Sequence, residues 1–90
     1  MNPHSTDDAT SAKRDAGLRA FSRGDFASAA ALLEPCAEAG DVKAQLLLAR
    51  MYYAGNGVPA DHTRYIYWLE QAAARGDKAA RAKLKRLQHN

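Results

Sequence analysis

Cys36 is the only cysteine of this 90-residue chain, and His4, His62 and His89 are its only histidines. A thiol beside an imidazole would supply a nucleophile and its base, and several such groups at ligand spacing would hold zinc. The sequence offers neither pattern. The histidines are scattered, none stands at metal spacing from a cysteine or carboxylate, and one cysteine makes neither an internal disulfide nor a Cys-based zinc site. Cys36 lies among alanines and leucines and reads as a buried structural thiol. Asp25, Asp41, Asp61 and Asp77 are the next candidates for acid–base work, yet each stands where a helix begins and reads as its N-cap. Gly55-Asn56-Gly57-Val58-Pro59 is glycine-rich, but it lacks the lysine and the preceding strand of a phosphate-binding loop, so a turn is the simpler reading. The expectation is a protein that is not an enzyme and uses no metal and no cofactor.

Charge is unevenly spread. Residues 1–41 hold four Lys/Arg against seven Asp/Glu, whereas residues 75–90 hold six against one. Lys78, Arg81, Lys83, Lys85 and Arg86 could meet nucleic acid, but no aromatic residue interleaves with them along that stretch. They read instead as a solvated helix face that also complements the helix dipole, and no nucleic-acid partner is expected. No run approaches the roughly twenty apolar residues that span a bilayer. The first fifteen residues lack the apolar core of a signal peptide. With a single cysteine, these features lead to the expectation of a soluble, cytoplasmic protein without a membrane partner.

The elements that position these residues emerge from an internal repeat. At an offset of 36, Gly40 pairs with Gly76, Asp41 with Asp77, Ala44 with Ala80 and Leu48 with Leu84. The same offset pairs Asp25 with Asp61, Leu33 with Leu69 and Ala37 with Ala73. Residues 41–54 carry Val42, Leu46, Leu47, Leu48, Met51 and Tyr52 at helical spacing. The Gly55–Ala60 stretch breaks the helix, and Asp61 starts another through Tyr65, Ile66, Trp68, Leu69, Ala72 and Ala73. Gly76 closes that helix, and Asp77 opens a last one with the stripe Ala80, Leu84 and Leu87. The first unit follows the same plan with a shorter loop: a helix from about Asp8 to Ser22, then one capped by Asp25. Pro35 should bend that second helix without ending it. The predicted fold is all-α, an α-α superhelix (solenoid) of about two and a half helix-pair repeats. It has a disordered tail over 1–7 and one domain over 8–90, divided into repeats 8–39 and 40–75 and a capping helix over 76–88.

The second unit closely resembles the Sel-one-like repeat, a relative of the tetratricopeptide repeat. The carrying residues are Ala44, Leu48-Ala49, Tyr52, Gly55-Asn56-Gly57-Val58, Asp61, Trp68, Ala72-Ala73 and Gly76. The first unit, with Gly17, Ala20, Gly24 and Ala29, is nearer to a tetratricopeptide repeat. Two positions depart from the pattern. Tyr65 replaces a small alanine between paired helices, which implies looser or rotated packing there. Lys85 replaces the small residue equivalent to Ala49, which implies that no further helix packs on the last one and that the array stops there.

The resemblance implies a protein–protein interaction adaptor or scaffold. Its concave face would hold a peptide or helix of a partner, and interleaved basic and aromatic side chains suit an acidic segment. The implied face comprises Arg14, Leu18 and Phe21 on the first helix and Lys43, Leu46, Arg50 and Tyr53 on the third. Ala79, Ala82, Arg86 and His89 would continue it on the fifth. Leu18, Phe21 and Leu46 read equally as core. The alternative is a self-associating module, a homodimer through exposed surfaces of the first or fourth helix, because two and a half repeats bury little surface.

Overall fold

The computed structural model describes the backbone of residues 4–88 and the side chains of residues 9–88. Five helices follow one another: α1 (His4–Ser22), α2 (Phe26–Glu38), α3 (Val42–Ala54), α4 (His62–Ala74) and α5 (Lys78–Gln88). No strand occurs among the described residues. Each helix packs chiefly on its neighbours in sequence, and the chain extends over 46 × 30 × 17 Å. This is the expected all-α architecture in a solenoid-like arrangement.

α1 begins at His4, ahead of the expected Asp8, so residues 4–7 belong to the first helix and not to a tail. Neither glycine nor proline interrupts residues 4–16, and two aspartates stand near the helix start, where negative charge is favoured. Residues 1–3 of the expected tail lie outside the described residues, as does His89.

A Gly-Asp dipeptide joins the helices at three places. Gly24, Gly40 and Gly76 take φ of 82°, 97° and 100°, the left-handed region that favours glycine. In each case two backbone bonds close the helix just finished. Gly40 N–H donates to Ala37 and Asp41 N–H to Cys36; Gly76 and Asp77 repeat this on Ala73 and Ala72, and Gly24 and Asp25 on Phe21 and Ala20. The aspartate side chain then caps the next helix. Asp25, Asp41 and Asp77 accept from the backbone N–H of Ser28, Ala44 and Ala80 at 3.3, 3.0 and 2.8 Å. Asp61 caps α4 in the same way through Arg64 N–H at 3.1 Å. All four aspartates are therefore committed to helix starts.

The core is built from alanine at the closest approaches and from a few large residues. Ala20, Ala29, Ala44, Ala49 and Ala72 are buried, with Leu33, Leu48 and Met51 filling the space between helices. Trp68 is buried, as its spacing implied. α2 continues past Pro35 to Glu38. Tyr65, expected to loosen the α3–α4 packing, is itself buried and rests its ring on Tyr53, with centroids 4.9 Å apart.

Three ties join the two repeats. Arg14 of α1 donates from Nη1 to Asp41 Oδ2 at 2.9 Å. Tyr52 of α3 donates its hydroxyl to Glu34 of α2 at 2.9 Å. Buried Gln45 donates from Nε2 to the Ala37 carbonyl at 3.0 Å. The α3–α4 loop adds a fourth contact: Gly57, at φ 75°, lies so close to the start of α2 that a Cβ there would overlap the backbone carbonyl of Phe26.

Candidate functional site: a basic and aromatic cleft

α1, α3 and α5, the first helices of the successive pairs, share one face of the molecule. A cleft of about 560 Å³ opens between them, lined by Phe21, Arg50, Tyr53, Ala54, Asn56, Tyr65, Lys83, Arg86 and Leu87. Its floor is aromatic. Phe21 is half-buried and packs on Phe26, with ring centroids 5.0 Å apart. Tyr65 lies between Tyr53 and His62, 5.5 Å from the latter's ring. Burial pushes the Tyr65 phenol above its usual range, and the neighbouring Tyr53 adds to this against the opposing pull of Arg86. Tyr53 stands at the opening, 67% exposed.

The walls are cationic. Arg50 places its guanidinium 5.8 Å from the centre of the Phe21 ring, within range of a cation–π contact. Lys83 and Arg86 face it from α5. No carboxylate lines the cleft, and none of the three cations is in an ion pair among the described residues. A smaller recess of about 160 Å³ adjoins it, with Leu46 and Leu69 at its base and Arg50, Tyr65 and Lys83 shared between the two. The volume of the main cleft falls in the range of sites that enclose a small ligand or a few side chains of a peptide. Its chemistry suits a segment that carries both negative charge and apolar bulk.

The expected face is thus only partly assembled. Phe21, Arg50, Tyr53 and Arg86 meet in the cleft, and Leu46 lines the recess beside it. Leu18 is half-buried against the core and lines neither cavity. Lys43 is exposed and lines neither cavity. Arg14 is taken up by ion pairs to Asp41 and Asp15 and serves to join repeats. On α5, Ala79 lines the recess while Ala82 is exposed away from both cavities.

Tyr65, Lys83, Leu87 and Asn56 were not expected in the site. Ala80 is buried and Leu84 half-buried, and this seats α5 with Lys83 and Leu87, one turn apart, turned to the cleft. Lys83 stands three residues before Arg86, so it shares that face by helical spacing alone. This signal was in the sequence. The same geometry supplies the aromatic neighbours that α5 lacks along its own length.

Among the described residues no cluster of three or more His, Cys, Asp or Glu could hold a metal, and no helix is long and apolar enough to cross a membrane. Cys36 is buried, with its Sγ 3.4 Å from the Leu32 carbonyl and 3.5 Å from that of Thr10. Burial pushes its thiol above the usual range, so it stays protonated. Compared with known proteins, the chain matches no family model, and neither a curated protein nor a solved structure matches it significantly.

Proposed function

We propose that the chain is a non-catalytic adaptor of the Sel-one-like repeat kind, which holds an acidic, partly apolar segment of a partner protein in the α1–α3–α5 cleft. One observation carries this reading: Arg50, Lys83 and Arg86 converge on an aromatic floor with no carboxylate among the lining residues. Arginine and tyrosine are frequent anchors of protein interfaces, where planar, rigid groups lose little entropy on binding. Commitment of the four aspartates to helix caps and burial of the one thiol support the non-catalytic reading. A cytoplasmic setting rests on the single cysteine, which asks for no oxidising compartment.

The test is fluorescence anisotropy with a labelled peptide of glutamate interspersed with phenylalanine and leucine, against the same peptide with lysine for glutamate. The wild-type chain should bind the acidic peptide only. Arg50→Ala and Tyr53→Ala should each weaken that binding about tenfold or more, the loss of one anchoring side chain. Equal binding by wild type and both variants would remove the cleft as the site.

A further inference from the structure

A second groove, of opposite charge, shares no lining residue with the cleft. It runs between the outer helices α2 and α4, has a volume of about 520 Å³, and is lined by Glu34, Glu38, Asp61, Arg64, Tyr67 and Trp68 among others. Glu34 and Glu38 stand one turn apart on α2. Arg64, its one lining cation, is paired with Asp61 at 3.5 Å, which leaves the two glutamates without a cationic partner among the described residues. Tyr67, 48% exposed, sets its ring edge-on to Trp68 at 4.8 Å. Trp68 is 4% exposed, and its Nε1–H is buried without an acceptor.

The complementary surface is on the same chain. α5 turns Lys83 and Arg86 to the cleft, but Lys78, Arg81 and Lys85 lie at i, i+3 and i+7, a second basic stripe on a different side of the helix. All three are exposed, and none is in an ion pair among the described residues. α5 contributes nothing to the groove of its own copy. We propose that α5 of one copy lays its Lys78–Arg81–Lys85 stripe in the α2–α4 groove of a second copy. The contact joins the basic end of one molecule to the acidic α2–α4 groove of the next. The two surfaces differ, so the contact closes reciprocally in a twofold pair or propagates into rings or chains, according to the angle between copies. The stripe and the cleft use different residues of α5, and the proposal does not depend on what the cleft binds.

Sedimentation velocity across a concentration series tests this. Wild type should self-associate at low salt and lose most of that association near 1 M salt, where the Debye length falls to about 3 Å. Lys78→Glu/Lys85→Glu and, separately, Glu38→Lys each reverse exposed charges and should weaken association at least about tenfold, with circular dichroism showing that each variant stays helical. Mixing the two variants should restore association, because each then presents charges complementary to the other. A wild type that stays monomeric at all concentrations in low salt would overturn the proposal. So would association unchanged in both variants, or a mixture that remains monomeric. Association abolished by Arg50→Ala but not by the α5 reversal would overturn it too, since the contact would then lie in the cleft.

Discussion

Arg14 and Asp41 stand 27 residues apart in sequence and 2.9 Å apart in space. One carboxylate oxygen of Asp41 caps α3 through Ala44 N–H, and the other accepts from Arg14 of α1. A single side chain thereby starts the second repeat and ties it to the first. The pair is shielded, with side-chain exposures of 19% and 10%, so it is worth more than an open surface pair. Arg14→Ala should cost about 1.5 kcal/mol, the value of a hydrogen bond to a charged group. Asp41→Ala removes the cap as well and should cost about 1 kcal/mol beyond that. Urea denaturation of the two single variants and the double variant measures both. A negligible coupling energy between the two positions would show that the pair does not hold the repeats together.

Gly57 makes a sharper prediction than the other left-handed glycines. At Gly24, φ is 82° and a Cβ would meet nothing within 4 Å. Gly24→Ala should cost only the backbone strain, about 1 kcal/mol. Gly57→Ala adds a collision with the Phe26 carbonyl, and should cost at least about 2 kcal/mol. Thermal melting of the two variants compares them directly, and equal losses would mean that the loop does not press on α2.

Stability should fall in alkali. Burial raises the phenols of both Tyr52 and Tyr65, and for Tyr52 the hydrogen bond to Glu34 adds to this. The folded chain therefore holds these protons more tightly than the unfolded chain, whose tyrosines titrate near about pH 10. Their contribution is complete below that value and is lost as pH rises through the raised folded values. Melting temperature should decline from about pH 10 upward, and Tyr52→Phe should flatten part of the decline while lowering stability at neutral pH by about 1 kcal/mol. A slope identical in wild type and variant would mean that folding does not raise the Tyr52 phenol.

Cys36 should be inert in the native state. Its thiol is buried and kept protonated, so an aromatic disulfide reagent reaches it only after opening of the α1–α2 packing. Modification at neutral pH should run at least about a hundredfold slower than in denaturing urea. Comparable rates would place the thiol at the surface.

Much of this molecule was legible in its sequence because its helix ends are written locally. The Gly-Asp pairs and the GNGVP loop use residues whose conformational preferences act over two or three positions, so Asp25, Asp41, Asp61 and Asp77 could be placed as caps from spacing alone. The cleft was less legible because its composition depends on how each helix is rotated about its axis. That rotation is set by which alanine or leucine sinks deepest, a property of the neighbouring helix. Lys83 and Leu87 reach the cleft because of Ala80 and Leu84, and Arg14 is withdrawn from it by Asp41. Pairings such as Tyr52–Glu34 join repeats across 18 residues and leave no periodic trace.

The Gly-Asp joint also bears on how the chain reaches this state. Because the same two residues end one helix and begin the next, each boundary is specified before distant parts of the chain meet. Because each helix packs chiefly on its sequence neighbours, the contacts that reward folding are short-range. Chains of that kind cross low entropic barriers and fold in microseconds to milliseconds. Unfolding in turn should begin where a helix has one flank instead of two, at α1 or α5, and travel inward one helix at a time. Amide exchange along the chain should therefore rise from α3 toward either end, with the joint at Gly40-Asp41 among the last places to open.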